Sequence, residues 1–317
     1  MALISFIWEL AKVRSLVAGW SAHLDGRRLA RAFVLVAMLA LLASGCGGSS
    51  SGESAPDRFD ANRAWGLVEL QLESGQRPAG SPQLRKLATK LRPLLPGGHF
   101  ESLPGEPGLR NVVGTLPGKK PGIVVGAHYD TLAKPRGFVG ANNGAAGSAV
   151  VIEVARALQQ MSAGPGAREV RFVLFDGEEP AEVLPEETAN FYKEGLRGSR
   201  AYVAANPNRT GEMVLLDYVG NRGLWLPREG TSTEALWNRL LTAADVVGAE
   251  RFFSPQAGTA IEDDHTPFLR AGVPAIDLID WRYPGHSLAD GLDKLSRKSL
   301  DAVGETVTQL VSELREE

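Results

Sequence analysis

Ile123-Val124-Val125-Gly126-Ala127-His128-Tyr129-Asp130 is an apolar run that ends abruptly in a histidine, a tyrosine and an aspartate. Val170-Arg171-Phe172-Val173-Leu174-Phe175-Asp176-Gly177-Glu178-Glu179 repeats the plan, closing on acidic residues. Short runs that stay apolar on successive positions suit strands covered on both faces, as in a parallel sheet. To either side of this pair, similar runs at 111–116, 214–219 and 273–279 predict further strands. Helical spacing of apolar residues is found from Asp60, and at 83–95, 145–160, 234–247 and 296–314, where Ser296 is placed to cap the last helix. Alternating strands and helices predict an α/β fold. The expected architecture is a three-layer sandwich, a mixed, mostly parallel twisted sheet with helices on both faces. No repeat is visible, and no second domain boundary follows residue 57.

Sites in open α/β sheets form beyond the carboxyl ends of the strands. Polar residues gather at those predicted ends: His128 and Asp130, Asp176 with Glu178 and Glu179, Asp217, the Glu262-Asp263-Asp264-His265 cluster, and His286. Each has an ordinary structural explanation by itself, as a hydrogen-bonded loop residue, a solvated pair or a helix cap. Their joint occurrence at several strand ends points to a site. Histidine and carboxylate without cysteine is the donor set of a hydrolytic zinc centre. In the Glu178-Glu179 pair, one carboxylate can hold a metal while its neighbour moves protons. Other chemistries fit less well. Gly285-His286-Ser287-Leu288-Ala289 lacks the last glycine of a serine-hydrolase elbow. The glycine-rich stretch from Gly140 to Gly147 lacks the Lys-Ser/Thr of a phosphate loop.

The 317 residues are 44% hydrophobic and 22% charged, with a net charge of −3. That composition is ordinary for a globular chain and argues against nucleic-acid binding, which calls for a basic face. One cysteine excludes an intrachain disulfide and a thiolate zinc cluster. That cysteine, Cys46, ends Leu41-Leu42-Ala43-Ser44-Gly45-Cys46, after an apolar run at 32–43 preceded by Arg27, Arg28 and Arg31. Basic, apolar and small-residue segments in that order form an export signal. The run is short for a membrane span. A small-residue box before cysteine resembles a bacterial lipobox and favours acylation of Cys46 over an uncleaved anchor or a plain secretory signal. Residues 1–45 are therefore expected to be an export segment, 46–57 a Gly/Ser-rich tether and 58–317 the catalytic domain. The expected location is the outer side of a bacterial cytoplasmic membrane, held there by a lipid.

Taken in order, Val125-Gly126-Ala127-His128-Tyr129-Asp130, Gly140-Ala141-Asn142-Asn143-Gly144, Phe175-Asp176-Gly177-Glu178-Glu179, Asp217, Glu262-Asp263-Asp264-His265-Thr266-Pro267-Phe268 and Pro284-Gly285-His286-Ser287 carry a family resemblance. The chain resembles the superfamily of zinc aminopeptidases and glutaminyl-peptide cyclotransferases, metallopeptidase family twenty-eight, over about residues 60–315. The resemblance implies Glu178 as general acid/base, Glu179, His286 and His128 as metal ligands, and Asp217 as a second-metal ligand or substrate-orienting carboxylate. It also implies Asp263 as a proton-network acid, with Asp130 and Asp264 as supporting carboxylates. The substrate class it implies is peptide or protein N-termini.

The Asp263-Asp264-His265 string is similar to the cyclases. Two departures stand against it: Gly285 occupies the place of a cyclase tryptophan, and Leu184 falls near that of another. A third departure is Asn143 where the family has aspartate. An amide offers one carbonyl oxygen and is a poor bridge between two metals. One zinc is therefore expected, on Glu179 and His286 with Asn143 or water. The expected activity is glutaminyl cyclisation, with aminopeptidase as the alternative and a catalytically impaired peptide-binding relative as a second alternative.

Overall fold

A computed structural model describes residues 56–181 and 190–317. The expected export segment, Cys46, most of the tether and Leu184 lie outside the described residues. The strands, in chain order, are β1 (His99–Ser102), β2 (Arg110–Leu116), β3 (Lys119–His128), β4 (Arg168–Phe175), β5 (Thr210–Leu216), β6 (Leu226–Arg228), β7 (Phe253–Ala257) and β8 (Ala275–Leu278). Six of them form one sheet in the order β1-β2-β4-β3-β5-β8, and β6 pairs with β7 separately. β4, β3, β5 and β8 run parallel, while β2 and β1 add an antiparallel edge.

The register levels the carboxyl ends of the parallel strands. His128 lies beside Phe175, Gly126 beside Leu215, and Leu216 beside Leu278. The loops leaving these strands therefore emerge at one edge of the sheet, carrying Tyr129-Asp130, Asp176 to Glu179, Asp217 and the segment from Ile279.

Helices α1 (Ala61–Leu72), α2 (Pro82–Leu91), α3 (Gly147–Gln160), the single turn α4 (Phe191–Glu194), α5 (Arg197–Ala205), α6 (Glu234–Val246), α7 (Thr266–Arg270) and α8 (Arg297–Arg315) complete the chain. Strand side chains alternate between the two faces of the sheet. Ile123, Val125, Phe172, Leu174 and Val214 join the cluster built with α1, α3, α6 and α8. Val124, Val173, Phe175 and Leu215 face Tyr202 of α5 and Phe268 of α7. Phe175, Tyr202 and Phe268 meet at ring-centroid distances of 5.9–6.3 Å. Helices thus cover both faces, giving the three layers expected.

Local chemistry sets the element ends. The Asp60 side chain accepts the N–H groups of Asn62 and Arg63 at the start of α1, and Ser81 accepts that of Leu84 in α2. The helix expected to reach residue 95 stops at Leu91 and tightens into a 3-10 turn over Arg92–Leu94, because Pro93 has no N–H to continue it. Ser296 occupies the N-cap of α8, but its side chain makes no cap bond. The residues 141–146 form a broken turn ahead of α3, with Asn143 (φ −78°, ψ 97°) and Gly144 (φ 91°) outside helical values. Gly144 is required there: a Cβ would stand 2.5 Å from the Asp130 carbonyl oxygen and 3.2 Å from the His128 ring.

Candidate active site

At the carboxyl edge of the sheet, β3 delivers His128 and Asp130, β4 delivers Glu178 and Glu179, β5 delivers Asp217, and the loop after β8 delivers His286. Asp130 ties the first two groups together. Its Oδ1 accepts the Glu178 N–H at 3.3 Å and its Oδ2 the Glu179 N–H at 3.2 Å, while Oδ1 lies 3.5 Å from His128 Nδ1. Asp130 sets the peptide carrying both glutamates against the histidine ring.

His128 is enclosed by carboxylates. Glu178 Oε2 is 3.7 Å from Nδ1, and Asp217 Oδ1 is 3.5 Å from Nε2. Burial works against a charged ring, but Glu178, Asp130 and Asp217 outweigh it and hold His128 well above its usual range. Burial together with the charge of Glu179 pushes Glu178 well up. Burial also raises Asp263, to about 7, with Asp217 adding to the shift. Glu178 and Asp263, displaced toward their neutral forms in this way, suit proton transfer. Asp264 accepts a hydrogen bond from Ser199 of α5, anchoring the Asp263–His265 segment to that helix.

Asn143 does reach the site. Its Nδ2 donates to Glu179 Oε1 at 2.6 Å, and His286 Nε2 stands 3.7 Å from that same oxygen. Among the described residues no three His, Cys, Asp or Glu side chains close around one point as a preformed ion cage. Yet both ring nitrogens of His128 and Oε2 of Glu179 are buried without a hydrogen-bond partner among the described residues. Such an atom costs about 1–3 kcal/mol when left bare, and Glu179 Oε2, unlike the His128 nitrogens that face carboxylates, has a free position to offer a ligand. Imidazole nitrogen and carboxylate oxygen are donors that fit zinc.

A cavity of about 380 Å³ opens over these groups. Asn143, Glu178, Asp217, Asp263 and His286 line its polar side, and Phe191, Tyr218, Ile261 and Trp281 its apolar side. The aromatic wall that the sequence did not reveal is therefore present, built from other positions. Gly285, standing where the cyclases have tryptophan, is explained by Tyr218. A Cβ at 285 would lie 2.3 Å from the Tyr218 ring, so tyrosine occupies that space. Tyr218 has φ 45°, an uncommon conformation for a bulky residue, and strain of this kind gathers at functional sites. A larger groove of about 660 Å³ lies at the opposite end of α3, lined by Asp57, Phe59, Arg156 and Asp301 among others, without histidine.

Sequence inspection missed three supporting groups. Asp290 accepts the N–H groups of Asn142 and Asn143 at 2.9 and 3.0 Å, fixing the broken turn. Arg77, fully buried, donates to the carbonyls of Tyr129, Val139 and Gly140 and clamps that turn to the end of β3. Glu229 accepts from the backbone of Thr231 and Ile261 and lies 3.2 Å from His265 Nε2, pinning the loop that carries Ile261 and Asp263. None of these belongs to a recognisable motif. A buried arginine or glutamate is visible only once the fold is known.

An α/β sheet with a buried histidine–carboxylate cluster at the level ends of its parallel strands places the chain among proteins of the metallopeptidase class. More specifically, the chain belongs to peptidase family M28, whose family model matches residues 111–311. It is 28% identical over 239 residues to glutaminyl-peptide cyclotransferase of Bos taurus, covering 64% of this chain and 65% of that protein. The chain thus spans just under two thirds of the length of that curated relative. Among solved structures it is similar to a glutaminyl cyclase of an Acidobacteriales bacterium, with TM-score 0.71 and 26% identity over 85% of this chain and 99% of that one. It is also similar to a leucine aminopeptidase precursor from Bacteroides thetaiotaomicron, with TM-score 0.70 and 25% identity over 83% of this chain and 99% of that one. Both branches of the family are represented among these neighbours.

Proposed function

We propose that this protein is a zinc-dependent enzyme of peptide N-termini that closes N-terminal glutamine to pyroglutamate with release of ammonia. The observation that carries the proposal is the cavity in which Glu178, Asp217 and Asp263 face an aromatic wall, with Glu179 and His286 beside them. Glu179 and His286, with the Asn143 carbonyl oxygen or water, would hold one zinc, which when bound polarises an amide carbonyl. Asp217 receives the α-amino group and orients it. The amine nitrogen forms a bond to the side-chain carbonyl carbon of glutamine, and the carbon–nitrogen bond of the side-chain amide breaks. Glu178 takes the proton given up by the amine and returns it to the departing ammonia. Asp263, raised to about 7, accepts and donates protons within that network.

Cyclisation is preferred to aminopeptidase action because an amide at 143 is a poor bridge for two metals, while Phe191 and Trp281 suit the flat amide of glutamine. The hydrogen bond from Asn143 to Glu179 favours a second reading, a peptide-binding relative without turnover. The proposed setting is the outer face of a bacterial membrane, reached through an acylated Cys46, with peptide or protein N-termini as partners and no nucleic acid.

Mass spectrometry of zinc-supplied protein incubated with Gln-peptides and with aminoacyl amides tests this. Loss of ammonia supports cyclisation, a released amino acid supports the aminopeptidase, and retained peptide without turnover supports the binding relative. Glu178→Gln is expected to lower the rate by about 10²–10⁴-fold. An unchanged rate would remove Glu178 from the mechanism.

A further inference from the structure

Glu178 and Glu179 are neighbours with separate tasks, so the peptide groups around them have to be fixed. Asp130 accepts the N–H groups of both residues. The carbonyls are held by the start of α5. The Arg197 N–H donates to the Gly177 carbonyl at 2.9 Å, and the Leu196 N–H donates to the Glu178 carbonyl at 3.0 Å. The third carbonyl, that of Glu179, accepts from Arg197 Nη2 at 2.9 Å. Pro180 comes next and has no N–H to give. Among the described residues, the peptide after Glu179 is therefore held by Arg197 alone. The neighbouring sequence makes room for this contact. A Cβ at Gly177 (φ 81°) would stand 3.0 Å from Arg197 Nε, and one at Gly195 would stand 2.4 Å from the Glu178 carbonyl oxygen. Leu196, between Gly195 and Arg197, is buried at φ 52°, an uncommon conformation for a bulky side chain.

From this geometry we propose that Arg197 is a positioning residue for the metal centre: through the main-chain carbonyl of Glu179 it fixes the direction in which that carboxylate is offered. The proposal rests on Glu179 being a zinc ligand. A guanidinium presents its donors in a rigid fork, and a charged donor bonds more strongly than a neutral one, so Nη2 is suited to immobilising a carbonyl. The outer nitrogen, Nη1, lies 3.9 Å from Glu106, whose side chain is 41% exposed. An ion pair that long and that open contributes little. The inward bond to Glu179 is thus the one that matters. Arg197 does not line the cavity that holds the reacting groups, so it acts through Glu179 and not on the substrate. Groups that orient a metal ligand from behind typically carry about 10–100-fold in metal affinity.

The test measures zinc affinity by competition with a chromophoric chelator, and hydrogen exchange of the Glu179 amide in metal-free protein by NMR. Both are run on wild type, Arg197→Gln, Arg197→Lys and Glu106→Gln. Arg197→Gln is expected to weaken zinc binding by about 10–100-fold. Its Glu179 N–H should exchange about tenfold faster, the scale of one lost hydrogen bond, while the amides of β3 and α8 stay protected. Arg197→Lys, with one ammonium in place of the fork, recovers part of both losses, and Glu106→Gln stays within about twofold of wild type. At zinc concentrations that saturate each protein, KM for Gln-peptides is unchanged and any remaining loss falls on kcat. Wild type that binds zinc without turnover removes the cyclisation and leaves the positioning role standing, whereas wild type that binds no zinc overturns both. Should Arg197→Gln not fold, Arg197→Lys decides by the same two measurements, and wild-type values in it overturn the proposal. Unchanged zinc affinity or amide exchange in Arg197→Gln, an equal loss in Glu106→Gln, or a loss confined to KM overturns it as well.

Discussion

Replacing Asn143 by aspartate sets two effects against each other in one protein. In the metal-free chain the Asn143 amide donates to Glu179 at 2.6 Å, a hydrogen bond to a carboxylate. Its loss alone costs about 1.5–3 kcal/mol. Two ionised carboxylates at that separation would add repulsion on the order of 6 kcal/mol at an effective dielectric of about 20, but burial holds Glu179 up to about 8, so at neutral pH a proton on the pair relieves it. The lower figure survives such relief. Metal-free Asn143→Asp should therefore melt at least about 3–6 °C below metal-free wild type. Zinc reverses the sign, because the new carboxylate becomes a charged ligand beside Glu179 and His286. Zinc at about a hundredfold its Kd returns about 2.7 kcal/mol. The assay is thermal unfolding of both proteins in chelator and across a zinc titration. The variant should start lower and rise further. Equal melting temperatures in chelator, or identical zinc responses, would refute the assignment of Asn143 as the weak member of the metal site.

Acid stability checks the support behind Asp263. Burial opposes ionisation of Glu229, but hydrogen bonds from His265 and from the Thr231 and Ile261 backbone outweigh it and hold the carboxyl at about 2. A folded value below the unfolded one contributes stability that is complete above about 4.5 and is lost as pH falls toward 2. Glu229→Gln should flatten that part of the denaturation profile, and parallel wild-type and variant curves between pH 5 and 2.5 would contradict it. At the amino terminus, labelled fatty acid should enter the full chain expressed in bacteria and be absent from Cys46→Ser, and equal labelling would remove Cys46 as the lipid attachment point.

Much of this molecule is legible in its sequence, for a physical reason. The parallel strands are buried on both faces, so the later parts of β3, β4 and β5 are written as largely apolar runs, broken in β4 by Arg171, whose ends stand out as His128, Glu178-Glu179 and Asp217. The edge elements are not legible. β1 is His-Phe-Glu-Ser, and β6 and β7 each contain proline, which a paired central strand excludes but a short two-stranded edge tolerates. α5 opens on Leu196 at φ 52° without a side-chain cap, so no start signal announces it. In the site, residues that touch the reacting space stand in motifs. Those that act by holding backbone, Arg77, Asp290 and Glu229, depend on contacts across long separations that no local pattern records. The aromatic wall shows the same limit. Gly285 reads as a lost tryptophan, yet the ring that fills the space comes from Tyr218 on another strand end.

Metal content, measured on protein purified without chelator, bears on the proposed centre without any intervening assumption about substrate. The orphaned Oε2 of Glu179, the His286 ring beside that carboxylate, and the amide at 143 that cannot bridge predict one zinc per chain. Two per chain would contradict the role given to Asn143, and none, in protein that still converts Gln-peptides, would contradict the zinc-dependent mechanism itself.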